Sequence, residues 1–483
     1  MTDAATIARV LARIDEHLPR HRAALESLIR IPSVSAGGFA PSEVRRSAEA
    51  VATMLAGAGL HNVRLLEVGD SHPYVAAEWL GAAGAPTVLF YAHHDVQPPG
   101  HRERWSADPF EPVERNGRLY GRGSADDKGG AVMHAAAIDG WLGATGKLPC
   151  NVKVLIEGEE EIGCGHLRAF LDRYAAELRA DVIVLADAGN WAVGRPALTY
   201  MLRGLTDLAV RVRALRAPQH SGMFGGALPD PVLALSKMLA TLVDDRGAIA
   251  VPGLADDVRP PSAAERARLA ALALDESAFR RSAGVIGDAQ LVGDPAHSLF
   301  ERLWMQPAIS IIGLDAHPIA GSSNQVLAEA AARVSLRLAP GQDPQRCQQR
   351  LADHLRAVTP WGLTVEITPG ADSAPAWVCE PGGPAFAAAE AALSAAFGVA
   401  PVYMGVGGSI PFVGPFAAAF GAPALLIGPG DPGSRIHSED ESVHLGDWQR
   451  HCRGEALLLA ELAARLSSDP AREVFAGHGD VRC

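Results

Sequence analysis

Five places in the chain concentrate side chains that can bind a cation or move a proton. The first is His93-His94-Asp95, where His93 and Asp95 lie two apart and can point to the same side of an extended segment. A metal-bound imidazole needs its other N–H held, and a nearby carboxylate does this while raising the ring's basicity. Taken alone, the pair fits a strand-end histidine beside a solvated aspartate equally well. The second is Gly121-Arg122-Gly123-Ser124-Ala125-Asp126-Asp127-Lys128-Gly129, a glycine-flanked turn entering a helix. It lacks the spacing of a phosphate-binding P-loop, and its acidic pair could simply cap that helix.

The third, Glu157-Gly158-Glu159-Glu160-Glu161-Ile162-Gly163, crowds four carboxylates into five residues after an apolar run. Like charges there repel and raise one another's pKa unless a cation compensates. Asp187 closes a second apolar run, and His437-Ser438-Glu439-Asp440-Glu441 follows a third. Together His93, Asp126, Glu161, Asp187 and His437 offer imidazoles and carboxylates but no sulfur. Such a set suits zinc, with manganese or cobalt open, and two ions rather than one. Three carboxylates and one hydroxide balance two divalent ions. Two-metal hydrolytic sites hold the ions about 3.5–4 Å apart with a nucleophilic water between them.

The elements that must position these groups alternate between apolar β-branched runs and Ala- and Leu-rich helical patterns, the signature of βαβ units around a buried parallel sheet. Strands are expected at Thr87–Ala92, Val152–Ile156 and Asp181–Ala186, with helices at Ser42–Ala58 and Lys128–Trp141. Open α/β sheets place ligands beyond the carboxyl ends of their strands, where these clusters fall. From about Leu205 polar and apolar residues alternate, as in Leu208–Leu215 and Ala332–Leu338, which marks a second domain with a half-solvated sheet. Its pattern includes a helical run near Pro231–Leu242 and a loop near Pro252–Pro261. After the break at Pro381–Gly383, a helix (Phe386–Phe397), a strand (Ala424–Ile427) and a last helix (Leu445–Leu466) restore the α/β pattern. The expected fold is therefore a discontinuous α/β catalytic domain (1–204 and 384–483) with a mostly parallel central sheet flanked by helices, plus an inserted α+β domain (205–383). The polar tail after Ser468 is expected to fray.

With 483 residues, a formal charge of −12, 48% hydrophobic and 20% charged residues, the composition is that of a globular protein of two or three domains. The acidic balance and the lack of a basic cluster argue against nucleic-acid or anionic-membrane partners. Six cysteines without short paired spacings indicate neither a disulfide framework nor a thiolate zinc site, so a reducing compartment is expected. The run Thr6–Arg30 reads as an amphipathic helix rather than a signal peptide, and no stretch approaches a membrane span. A cytoplasmic location follows as the expectation.

At this point the chain resembles the dinuclear zinc metallopeptidases that include carnosinase, cytosolic non-specific dipeptidase, carboxypeptidase G, acetylornithine deacetylase and aminoacylase. The resemblance spans nearly the whole length. It is carried by Tyr91 through Pro98, Trp105 to Phe110, Leu119 through Gly129, Glu157 through Gly163, and His437-Ser438. It implies that Asp126 bridges both metals, that His93 and Asp187 complete one ion's ligands, and that Glu161 and His437 complete the other's. It implies a supporting role for Asp95 behind His93, a cis peptide after Asp126, and Glu160 as the general base that moves a proton from water to the departing amine. The inserted domain becomes a lid and dimerisation domain. His220 would reach across a homodimer toward the substrate carbonyl, and Arg337 would hold a substrate carboxylate through its forked donors. Without the resemblance, His220 reads as a turn histidine and Arg337 as one of two solvent-facing arginines with Arg333.

The chain also departs from that family. Relatives commonly carry Arg-Glu-Gly-Gly-Ser-Ile-Pro, whereas Gly405-Val406-Gly407-Gly408-Ser409-Ile410-Pro411 keeps the glycines and loses both charges. Backbone donors near Gly408 and Ser409 would contact the substrate's carboxyl end. Cys164 replaces a serine, and Glu439-Asp440-Glu441 replaces Pro-Asn-Glu. The size of the inserted domain favours the carnosinase-like branch, hence hydrolysis of dipeptides or short peptides. The alternatives are deacylation of N-acyl amino acids by the same chemistry, or a non-catalytic binding protein that kept the fold.

Overall fold

In the computed structural model, which describes residues 2–272 and 275–466, the chain divides into two compact units. One is built from residues up to Tyr200, from Cys379–Met404 and from Pro411 onward; the other from Met201–Val378 and Gly405–Ile410. The tail after Ser468 lies outside the described residues.

The first unit centres on a sheet in the order His61–Leu66, Tyr74–Trp79, Asn151–Glu157, Thr87–His93, Val182–Leu185, Ala424–Leu426, Ala197–Leu202. Its four middle strands, Asn151–Glu157 to Ala424–Leu426, run parallel, and the strands on either side pair antiparallel. The middle strands are short apolar runs because both of their faces are covered. Val88, Phe90 and Ala92 join the core that also contains residues of helices Ala4–Ile29, Lys128–Thr145 and Leu445–Leu466. Tyr91, on the opposite face of its strand, stacks on Phe412 with ring centroids 3.6 Å apart. Burying a side chain of that size is worth roughly 2–3 kcal/mol.

Helix Lys128–Thr145 runs past the expected stop at Trp141, ending at Gly146 with φ 71°. Gly140 lies where a Cβ would sit 2.6 Å from Ile14 Cγ1, so close packing against Ala4–Ile29 carries the helix through its glycines. Lys128 at its start is fully buried, and its ammonium donates to Leu28 O at 2.8 Å and Ile31 O at 2.7 Å. Leu28 O lies in the last turn of Ala4–Ile29, where carbonyls lack an i+4 partner within the helix, and Ile31 O lies two residues beyond its end. Burial brings the Lys128 pKa down to about 7.

The second unit is a four-stranded antiparallel sheet in the order Ala308–Asp315, Glu329–Leu338, Gly204–Arg213, Thr364–Ala374, packed with helices Pro231–Ala240 and Pro344–Ala357. Along Glu329–Leu338 the residues Ala330, Ala332, Val334, Leu336 and Leu338 enter the core, and Glu329, Arg333 and Arg337 take the other face. The segment Gly405–Ile410, expected with the first unit, lies with the second, because Arg203 and Arg337 both bond to it.

Candidate metal centre

Three consecutive parallel strands deliver the chemistry of the first unit at their carboxyl ends. Thr87–His93 ends in His93, Asn151–Glu157 leads to Glu160 and Glu161, and Val182–Leu185 stops two residues before Asp187. Asp126 comes from the turn before helix Lys128–Thr145, through an Asp126–Asp127 peptide that is cis. His437 comes from the loop beyond Ala424–Leu426, with φ 64°. That left-handed conformation is unfavourable for a residue with a Cβ, and it is held by the ring's two carboxylate contacts.

These groups form two trios that share one residue. His93, Asp126 and Asp187 present ligand atoms within 4.8 Å of one another, and so do Asp126, Glu161 and His437. His93 Nε2 lies 2.9 Å from Asp126 Oδ1, and His437 Nε2 lies 3.0 Å from Asp126 Oδ2 and 3.1 Å from Glu161 Oε2. The two oxygens of one carboxylate thus face opposite trios, the geometry of a bridge.

Asp95 ties the two sides together. One carboxylate oxygen lies 3.4 Å from His93 Nδ1, and the same carboxylate accepts from Glu160 N at 3.3 Å, Glu161 N at 3.1 Å and Ser35 Oγ at 2.6 Å. It therefore orients an imidazole and also the turn that carries two glutamates. His94 turns away: its ring faces Pro73 O at 2.9 Å, and burial pushes its pKa down to about 4.

The four crowded glutamates separate by partner. Glu157 accepts from Tyr91 OH at 2.7 Å and Tyr74 OH at 3.1 Å; Glu159 accepts from Tyr74 OH at 2.8 Å and sits against His166. Glu161 accepts from Gln97 N at 3.0 Å and Gln97 Nε2 at 2.8 Å while facing His437. Among the described residues, the Glu160 carboxylate has no hydrogen-bond donor, so of the four it is the one free to exchange a proton.

The charges show what such a cluster requires. Burial pushes Glu160 and Glu161 up, with neighbouring carboxylates adding to it, and burial with Asp126 pushes Asp187 up to about 7. Burial opposes a charge on His437, yet hydrogen bonds to Asp126 and Glu161 hold its proton up to about 11. His93 is likewise raised, by Asp126 and Asp95 against burial. Buried carboxylates thus outnumber the imidazoles around them, and the nitrogen and oxygen donors of each trio fit a divalent cation that would offset that charge.

Several supporting residues carry no motif that marks them. Glu441 is fully buried and accepts from Ala125 N at 3.0 Å, Asp126 N at 3.1 Å, Gly123 N at 3.1 Å and Arg122 Nη1 at 2.7 Å, fixing the turn that presents Asp126. Ser35 and Tyr74 are equally unmarked, while Tyr91 and Gln97 fall in the Tyr91–Pro98 stretch that carries the resemblance without showing which carboxylate each would meet. Glu441 left one trace, as the acid retained where its neighbours depart from the family pattern.

The remaining expected residues lie in the second unit. His220 is exposed, and its Nδ1 accepts from Gly222 N at 3.1 Å, which leaves Nε2 to carry the proton in the neutral ring. Arg337 Nη1 donates to Ser409 Oγ at 3.0 Å, with Gly408 beside it in the same loop.

Fold and site together define a hydrolase built around a paired divalent-cation centre. The chain matches peptidase family M20/M25/M40 over residues 89–461 and belongs to that family of metallopeptidases. It is 35% identical over 362 residues to the cysteinylglycine-S-conjugate dipeptidase of Corynebacterium striatum, covering 74% of this chain and 77% of that one. It is 27% identical over 466 residues to the Cys-Gly metallodipeptidase of Saccharomyces cerevisiae, covering 92% and 95%. The structure of human carnosine dipeptidase 1 superposes with a TM-score of 0.85 at 27% identity, covering 95% of this chain and 99% of that one.

Proposed function

We propose that the protein hydrolyses the amide bond of dipeptides or short peptides, with Asp126, His93, Asp187, Glu161 and His437 holding two divalent ions, zinc foremost. The observation that carries this reading is Asp126, whose two oxygens lie 2.9 Å from His93 Nε2 and 3.0 Å from His437 Nε2, beside a Glu160 carboxylate with no hydrogen-bond donor among the described residues. Held by these residues, divalent ions would supply Lewis-acid polarisation of the scissile carbonyl and a lowered pKa for the attacking water. Glu160 takes the proton of the attacking water and returns it to the leaving amine. Asp95 keeps His93 and the Glu160–Glu161 turn in place. His220, through its Nε2–H, stabilises the developing oxyanion, and Arg337, with Gly408 and Ser409, receives the substrate's carboxyl end.

The enzyme acts as a homodimer in the cytoplasm on this reading. Strand Ala308–Asp315 supports the first part: it is a sheet edge on which Ile312 is 57% and Leu314 63% exposed, the kind of edge that pairs with another chain. The five described cysteines are free, as suits a reducing compartment, and among the described residues no helix is long and apolar enough to cross a membrane.

The test is an activity screen of the purified protein with each metal added back, across dipeptides, β-alanyl dipeptides and N-acetyl amino acids. Turnover of free dipeptides is expected; exclusive turnover of N-acetyl amino acids overturns the peptidase assignment. Mixing His220→Ala with Glu160→Ala protein is expected to restore activity through heterodimers, and no recovery despite subunit exchange rejects the role of His220 across subunits.

A further inference from the structure

Two arginine side chains bind the glycine loop of the second unit. Arg203 Nε donates to Gly407 O at 3.2 Å and its Nη1 to Gln306 O at 3.4 Å. Ser409 Oγ donates to Arg203 O at 2.5 Å and accepts from Arg337 Nη1 at 3.0 Å, so one hydroxyl links the two arginines. Gly407 permits the approach, since a Cβ there would lie 2.7 Å from Arg203 Nη2.

No carboxylate within salt-bridge distance of either guanidinium is found among the described residues. The charged group acting on Arg203 is Arg337, which adds to burial in bringing its pKa down to about 10, and burial lowers Arg337 as well. Arg333, on the same face of the same strand as Arg337, is paired with the buried Asp207, so an arginine on this face can find an acid inside the protein. Each guanidinium has five N–H donors, and these bonds use two on Arg203 and one on Arg337. Val406, whose carbonyl accepts from Arg203 N at 3.2 Å, stands where the resembling family carries a glutamate.

We propose that Arg203 and Arg337 form a two-anion subsite, and that the preferred substrates carry a second carboxylate on their carboxyl-terminal residue, as aspartyl or glutamyl peptides do. Two half-buried like charges are costly unless both are compensated. The α-carboxylate of an ordinary peptide neutralises one of them; an acidic side chain supplies the other. The planar forks suit carboxylates, which they bind through two parallel bonds. This rests on the peptidase reading above.

The experiment compares kcat/KM of the metal-loaded enzyme for Ala-Glu against Ala-Gln and for Ala-Asp against Ala-Asn, pairs that differ in charge at nearly constant shape. The acidic member is expected to lead by about tenfold or more, carried in KM rather than kcat. Arg203→Gln and Val406→Glu should each collapse the ratio toward one, the first by removing the charge and the second by neutralising it internally. Arg203→Lys, which keeps the charge without the fork, should retain part of it. Equal efficiency within each pair, alongside good turnover of all four, overturns the inference and leaves the peptidase reading standing. Cleavage of none of the four, while N-acetyl amino acids are cleaved, removes the peptidase reading and this inference with it.

Discussion

The two units gather charge with opposite sign. In the first, Asp126, Glu160, Glu161 and Asp187 crowd around two imidazoles; in the second, Arg203 and Arg337 share a serine and, among the described residues, have no acid within salt-bridge distance. Concentrating like charges away from water is uphill in both places, so each cluster specifies the sign of what it awaits. The difference lies in how firmly each is built. The acidic cluster is braced on every side, by Asp95 behind His93, Glu441 behind Asp126 and Gln97 behind Glu161. The basic one rests on backbone carbonyls and a single hydroxyl, as suits the ligand-selecting role proposed for it.

Four substitutions can break or sharpen this contrast. The largest effect belongs to Asp126→Asn, which removes the shared charge: both metal equivalents and all turnover should disappear, as elemental analysis and assay would show. A variant that keeps one ion and full activity would contradict a bridging role. Glu160→Gln should lower kcat by about 10²–10⁴-fold while metal content stays whole; an unchanged kcat rejects it as the base. Asp95→Asn should weaken metal affinity by roughly 10- to 100-fold, measured by competition with a chelator. Undiminished affinity would mean that Ser35 and the neighbouring backbone suffice to hold the turn. Arg337→Gln should raise KM by about tenfold for substrates with a free carboxylate, and far less for their amides. Equal losses for both would turn the basic cluster into a structural feature.

Much of the acidic cluster was legible from residue type, because several short apolar runs each end in His, Asp or Glu, a combination that no one of them carries alone. His93, Asp126, Glu161, Asp187 and His437 meet where those strand ends predict. What was not legible depends on partners far away in the chain. Glu441 belongs to the His437–Glu441 cluster, but its partner is the Asp126 amide 315 positions away, and nothing local shows that pairing. The four glutamates look alike in sequence and become distinct only when Tyr74 and Tyr91 take Glu157 and Glu159, and Gln97 takes Glu161. Arg337 and Arg333 alternate identically along one strand, yet only Arg333 has Asp207 opposite. Arg203 is a lone arginine at the start of an alternating run, which is unremarkable in sequence until its neighbours are known.

Strand Ala424–Leu426 lies between Val182–Leu185 and Ala197–Leu202. A nascent chain emerging from the ribosome therefore makes both flanking strands long before the one that fills the slot between them. Until residue 424 has been translated, two hydrogen-bonding edges stand open in the middle of the protein, a hazard for sticking to other chains. His437 follows that strand in the chain, so the cluster it joins is assembled only after the slot is filled.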